Sequence, residues 1–265
     1  KEFIDGINTV IVDEVHMAKA DVLKRMLTGP FAHCQIRWGL TGTVPKQEYE
    51  YMGIKVGLGE VTNKIPAKDL EDKGVLANCH VNVLQTNDVL EFRSYAEELK
   101  WLTTDSKRMS WVAQTISDIA TSGNTLILAD RISAGEILEK KIKDSVFIRG
   151  ATKNMERKEH YDEVSTAQTK VIIATYGVAA VGINIPRIFN LVLIEPGKSF
   201  VRVIQSIGRG IRKAEDKDSV SIWDITSACK FARRHLTQRK KFYKEANYPY
   251  NIEKIDTDLY ENFNT

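Results

Sequence analysis

Thr9-Val10-Ile11-Val12-Asp13-Glu14-Val15-His16 is the stretch on which the fold turns. Four apolar or β-branched residues, with Gly6 upstream and two acids downstream, read as a buried parallel strand that ends in a carboxylate pair. A helix is expected next over 20–27, where Val22, Leu23, Met26 and Leu27 repeat on one helical face and Gly29-Pro30 stops the run. Ile36-Arg37-Trp38-Gly39-Leu40 reads as a second strand, closed by Thr41-Gly42-Thr43. Strand, helix, strand, with polar motifs at the C-terminal strand ends, is the logic of an open α/β sheet whose ligands sit beyond those ends.

The alternation continues downstream. Residues 44–78, punctuated by Pro45 and Pro66, read as the end of one domain and a connector. A second α/β unit begins near His80–Leu84. A charged helical stretch over 88–120 precedes a strand at 124–129, a helix at 134–143, a strand at 146–148, a helix at 154–164 and strands at 171–174, 191–194 and 220–223. The expected fold class is α/β, with parallel sheets flanked by helices. Its parts are a partial first domain (1–66), a connector (67–79), a complete second domain (80–230) and a basic, aromatic tail (231–265).

The 265 residues suit one domain and part of another. With 43% hydrophobic and 28% charged residues, the composition excludes a disordered or fibrous chain. The longest uncharged run, 171–186, is broken by Thr175, Gly177, Gly182 and Asn184 and falls short of the ~18 apolar residues of a membrane span. No membrane partner and no secretory signal are expected, which leaves a cytoplasmic protein. Cys34, Cys79 and Cys229 lie too far apart for a metal pair and read as reduced structural thiols, and His33, His80, His160 and His235 show no metal spacing. The net charge is only +3, yet residues 202–244 hold twelve Lys or Arg against four acids. That excess suits phosphate contacts; a solvated helix face is the plainer alternative.

Two adjacent carboxylates at a strand end can divide the work of nucleotide hydrolysis, one holding Mg²⁺ through water and the other orienting the attacking water. Asp13 and Glu14 are placed for that, although Asp-Glu at a strand end is common by itself. Gln205-Ser206-Ile207-Gly208-Arg209-Gly210-Ile211-Arg212 is the sharper signal. Guanidinium groups three residues apart share a helical face and can reach one γ-phosphate; the alternative is a helix start with surface arginines. Gly197-Lys198-Ser199 mimics the end of a GxxxxGK[ST] phosphate loop, but the loop's first glycine would fall at Val192, inside a strand. In the tail, Arg233, Arg234, Arg239, Lys240, Lys241 and Lys244 interleave with Phe242, Tyr243 and Tyr248, a pattern for phosphate binding with base stacking or for a packed terminal helix.

Taken in order, these motifs resemble those of superfamily 2 helicases: Asp13–His16 the DExH box, Thr41–Thr43 motif III, Thr175–Pro186 motif V and Gln205–Arg212 the QxxGRxxR of motif VI. Residues 69–77 are similar to the segment that joins the two lobes in that superfamily. Ala174–Val178, Gln205–Arg209 and Trp223-Asp224 bring the likeness closest to phage UvsW-type branched-DNA helicases. The resemblance implies tandem RecA-like lobes, with ATP and Mg²⁺ as cofactors. It gives Asp13 to Mg²⁺ and the nucleotide, Glu14 to water activation, and His16, Thr41 and Thr43 to coupling between nucleotide and nucleic acid. It gives Gly182 and Asn184 to the nucleotide edge and Gln205, Arg209 and Arg212 to the γ-phosphate. Arg131, Arg149, Gly150, Thr152 and Thr175 fall where relatives touch the nucleic-acid backbone. Many relatives carry Asp at the Asn184 position.

No phosphate-cradling glycine loop precedes Asp13. The expectation is therefore the C-terminal part of a longer ATP-dependent motor, inactive by itself, whose partners are branched or duplex DNA and RNA in R-loops. The rival readings are an RNA-remodelling or restriction-type motor and a non-hydrolysing nucleic-acid-binding module. Oligomeric state is not legible.

Overall fold

A computed structural model describes residues 2–17, 20–42, 44–45, 47–66, 69, 72–73, 78–150, 152, 154–182, 187–197, 219–245 and 247–263. The chain divides between Lys64 and Ile65 into two units.

In the first unit, after a short helix α1 (Glu2–Asp5), β1 (Thr9–Val12) pairs in parallel with β2 (Ile36–Gly39). Helices α2 (Ala20–Thr28) and α3 (Glu48–Leu58) pack on the sheet. Val15, Leu23 and Leu27 form the core, with Val10, Val12, Ile54 and Leu58 against it. β1 was expected to be buried, and this differs: Ile11 is 56% exposed, as is Trp38 of β2 at 61%. Successive strand side chains alternate between faces, and both helices contribute to the Val10–Val12 side. Helix α3 occupies residues that read as the irregular end of the first domain, with no helix anticipated there. Gly53 and Gly57 hide it, since each glycine costs about 1 kcal/mol of helix propensity. Yet Gly57 is where the two helices approach, for a Cβ there would stand 3.0 Å from Leu27 Cδ1.

The second unit is a seven-stranded, wholly parallel sheet in the order β5-β6-β4-β7-β8-β3-β9. The strands are β3 (Asn78–Thr86), β4 (Thr125–Ala129), β5 (Ser145–Ile148), β6 (Val171–Thr175), β7 (Asn190–Ile194), β8 (Ser219–Ser227) and β9 (Tyr250–Ile255). The helices are α4 (Tyr95–Thr104), α5 (Ser106–Ala120), α6 (Ile132–Lys141), α7 (Asn154–Thr166), α8 (Tyr176–Gly182) and α9 (Lys230–Glu245). Every residue of β4 and β7 is buried, the continuous burial of parallel strands covered on both faces. Leu126, Leu128, Leu191 and Leu193 face one core with Leu236 and Tyr243 of α9; Ile127, Val192 and Ile194 face the other with Val112 and Ile116 of α5. This is the parallel, helix-flanked α/β architecture anticipated from the alternation.

Three details depart from the sequence reading. The helical run over 88–120 is two helices, because Asp105 accepts the Arg108 N–H at 2.9 Å and starts α5 afresh. The 231–265 tail is part of this unit, for α9 packs on the sheet and β9 extends it beside β3. Phe242, Tyr243 and Tyr248 are buried there and do not stack outward. All three cysteines are buried and none is in a disulfide among the described residues.

Candidate nucleotide and nucleic-acid site

In the first unit the acidic motif sits at the C-terminal end of β1. Leu40 donates to the Val12 carbonyl at 2.9 Å and Val15 to the Leu40 carbonyl at 3.0 Å, so the two strand ends stay registered past the sheet. Between them Glu14 adopts φ 46°, a left-handed conformation rare outside glycine, and its N–H donates to Asp13 Oδ1 at 2.8 Å. Val15 plugs the core at 2% exposure while both carboxylates face outward. The backbone kink thus turns one residue in and two acids out. Gly39 allows it: a Cβ there would meet Leu58 Cδ1 at 2.7 Å and Val15 Cγ1 at 3.3 Å.

His16 joins the two motifs of this unit. Its Nδ1 lies 2.7 Å from Thr41 Oγ1 and 3.4 Å from Glu14 Oε2, with its side chain only 7% exposed. The imidazole therefore touches both the water-orienting candidate and the Thr-Gly-Thr motif, whose Thr43 lies outside the described residues. Its buried Nε2 has no hydrogen-bond partner among the described residues. Hard, solvent-facing carboxylate oxygens at Asp13 fit a hydrated Mg²⁺.

In the second unit the predicted nucleic-acid contacts gather along one sheet edge. Arg131, Arg149 and Thr175 end or follow β4, β5 and β6, which are neighbours in the order β5-β6-β4, with Ala129 opposite Thr175 and Ile148 opposite Ala174. At about 4.8 Å between strands, three strand ends fall within roughly 10 Å. Arg149 is engaged by α6: its guanidinium reaches Glu136 at 3.0 Å and Glu139 at 3.6 Å and lies 5.0 Å from the centre of the Phe147 ring. The Arg149 N–H donates to Thr152 Oγ1 at 2.9 Å and the Thr152 N–H to the Arg149 carbonyl at 3.1 Å, closing the turn that contains Gly150. No neighbour fills the Cβ space of Gly150. Thr175 Oγ1 accepts the Val178 N–H at 3.4 Å and caps α8, whose last residue is Gly182. Arg131 stands at the N-cap of α6. Asn184, Gln205, Arg209 and Arg212 lie outside the described residues.

A buried ionic network was not anticipated. Arg108 donates to Glu195 at 2.7 Å and to the Leu102 carbonyl. Asp224 holds Arg239 through two bonds of 2.8 and 2.9 Å and accepts from Tyr243 at 2.9 Å. Arg239 also donates to the Gly197 carbonyl at 3.0 Å. Both guanidinium groups thus hold the chain just after β7, where Glu195 has φ 42° and Gly197 φ 64°. Burial pushes the Glu195 carboxyl up to about 7, against the pull of Arg108 and Arg239. Arg239 reads in the sequence as one phosphate-binding cation among several. At 2% exposure it is an internal tie instead. The signal that could have found it is Asp224, an acid among the strand residues Ile222, Trp223 and Ile225. The phosphate-loop mimic contains that Gly197, its Lys198 and Ser199 lie outside the described residues, and Val192 is a fully buried β7 residue.

Residues 107–214 match the helicase conserved C-terminal domain family. The ATP-dependent DNA helicase uvsW of Enterobacteria phage T4 is 24% identical over the whole of this chain. The chain resembles a superfamily 2 helicase of the UvsW type. It spans about half the length of that curated helicase, 55%. The T4 UvsW crystal structure shares the fold with a TM-score of 0.59 at 20% identity, over 96% of this chain and 55% of that one. A fragment of a putative HsdR subunit of a type I restriction enzyme from Vibrio vulnificus YJ016 does so with a TM-score of 0.73 at 18% identity, over 96% and 49%. The parallel, helix-flanked sheet thus has the RecA-like fold that those structures share.

Proposed function

We propose that this chain supplies the DExH-box portion and the second RecA-like lobe of an ATP-dependent DNA helicase that migrates branched DNA, regresses forks and displaces R-loops in phage replication and recombination. The observation that carries the reading is the His16 hub. One buried imidazole bonds the Thr41 hydroxyl and approaches the Glu14 carboxylate, so a shift of the Thr41 loop moves the group that orients the attacking water.

Bound Mg²⁺ supplies charge neutralisation on the phosphates. Asp13 holds that ion through water, and Glu14 takes the proton of the attacking water. Gly182 and Asn184 border the nucleotide, while Gln205, Arg209 and Arg212 stabilise charge on the γ-phosphate. Arg131, Arg149, Gly150, Thr152 and Thr175, at adjoining strand ends, follow the nucleic-acid backbone; Arg149 exchanges its Glu136 and Glu139 partners for phosphate. The site of action is the cytoplasm of the host cell.

In the intact protein, Arg209→Ala lowers nucleic-acid-stimulated hydrolysis by about 10³-fold or more while leaving DNA affinity near its starting value. Unchanged hydrolysis overturns the arginine assignment. Stimulation compared across branched DNA, plain duplex and RNA tests the substrate, and an equal response to all three overturns the preference for branched DNA.

A further inference from the structure

The strand-end site leaves one strongly basic feature unused. β9 is the outermost strand of the second unit's sheet, and between it and α9 runs a groove of about 450 Å³. Arg233, Thr237 and Lys240 enter it from one face of α9 and Lys254 enters from β9, over an apolar floor that includes Leu236 and Ile252; among the described residues, none that lines it is acidic. Strand alternation sends Ile252 and Lys254 into the groove and leaves Glu253 on the other face. Lys254 is positioned: its ammonium donates to Gln85 Oε1, and the buried Gln85 donates onward to the Ser227 carbonyl at 3.1 Å. Neither Arg233 nor Lys240 is ion-paired among the described residues.

The spacing of the cations fits a regular polyanion. Arg233 and Lys240 are seven residues apart, about 10.5 Å along the helix axis at 1.5 Å per residue. Two cations that far apart can meet separate phosphates of one backbone. The doublets Arg233-Arg234 and Lys240-Lys241 repeat at the same interval. Phe242 and Tyr243, which follow the second doublet, are buried, and among the described residues that line the groove there is no aromatic, so this surface presents cations without rings for unstacked bases. Such a surface suits the backbone of a paired nucleic acid better than a splayed single strand.

We propose that the α9–β9 groove binds the sugar-phosphate backbone of a second duplex arm through Arg233, Lys240 and Lys254, while the strand-end site holds the strand being moved. The inference rests on the motor reading and deepens it by placing the second arm of a branched substrate.

The test replaces all three by glutamine (Arg233→Gln, Lys240→Gln, Lys254→Gln) in the intact protein. Fluorescence anisotropy then follows binding of a forked duplex and of a single-stranded oligonucleotide between about 50 and 200 mM salt. Affinity for the fork falls about ten- to a hundredfold at low salt, and the slope of log affinity against log salt becomes shallower by about 2 to 3, as loss of three phosphate contacts requires. Single-strand affinity and single-strand-stimulated hydrolysis change less than about twofold. The charge-preserving variant Arg233→Lys, Lys240→Arg, Lys254→Arg restores fork binding. Unchanged fork affinity, or equal loss on both substrates, overturns the assignment. Retained fork binding with loss of an acidic protein partner also overturns it. Hydrolysis that no nucleic acid stimulates in the unaltered protein would instead sink the motor reading, and fork affinity would still decide the groove.

Discussion

At the scale of single residues, two side-chain contacts have different jobs and different expected failures. Thr41→Val removes the hydroxyl that His16 Nδ1 contacts at 2.7 Å and keeps the shape. Stability falls by only about 1–2 kcal/mol, the cost of a buried hydrogen-bonding group left without its partner. The functional loss is larger: nucleic-acid stimulation of hydrolysis drops about tenfold or more, while the unstimulated rate stays within about threefold. Rates measured with and without DNA check this, and an unchanged stimulation ratio would remove His16 from the coupling path. Asp224→Asn fails in the opposite way. It leaves the Arg239 guanidinium buried beside a neutral amide in place of the bidentate carboxylate, at a cost of about 3–5 kcal/mol read from denaturant midpoints. The double variant Asp224→Leu, Arg239→Met costs less than that single change, since no uncompensated charge remains. The acids at 13 and 14 were legible because they end an apolar run. Arg239 was not, because a cation inside a cationic run gives no sign that its partner lies fifteen residues earlier on a central strand.

At the scale of elements, the sequence showed what period and bounding residues carry and missed what packing alone decides. Long apolar strands between turn signals, such as Thr125–Ala129 and Asn190–Ile194, are unambiguous. β9 was missed because it is an edge strand, where Asn251, Glu253 and Lys254 interrupt the apolar pattern. α3 was missed because its glycines read as a loop, yet Gly57 is what brings it close to α2. Gly39 makes a sharper case. A valine there drives its branched methyls towards Leu58 and Val15, and Val15 directly follows the strained Glu14. Gly39→Val is expected to destabilise the first unit by about 1–3 kcal/mol and to depress hydrolysis by displacing the carboxylate. Limited proteolysis read separately on the two units checks it: cleavage within residues 1–64 accelerates and cleavage within 65–265 does not. Equal acceleration in both would refute the local packing argument.

At the scale of the whole molecule, the second unit buries a network of charged side chains, Asp88, Arg108, Glu195, Asp224 and Arg239, with Tyr260 donating to Asp88 at 3.1 Å. Of these, Glu195 gives the fold a pH dependence whose sign follows from its surroundings. Burial raises its carboxyl from the ordinary 4.5 to about 7, with Arg108 and Arg239 opposing. Folding therefore takes up a proton between those values, and the folded state binds more protons than the unfolded one. Stability from this group is fully present below about pH 4.5 and is lost as pH rises through about 7. Other carboxylates in ion pairs push the acid limb the other way, so the measurement has to be differential. Urea midpoints recorded from about pH 5 to 8 for the unaltered protein and for Glu195→Gln isolate the group. The glutamine variant keeps an oxygen for Arg108 and cannot titrate, so its stability gains on the unaltered protein as pH increases across that range. Parallel curves would mean that Arg108 and the Thr226 hydroxyl, 2.7 and 3.2 Å away, keep the carboxylate ionised throughout. Because Glu195 follows β7 at a positive φ, ten positions before Gln205 of the arginine motif in the sequence, the same comparison made on nucleic-acid-stimulated hydrolysis shows whether that proton reaches the chemistry. A hydrolysis profile that shifts with the glutamine substitution places the network in control of the motif, and one that does not confines it to holding the sheet end together.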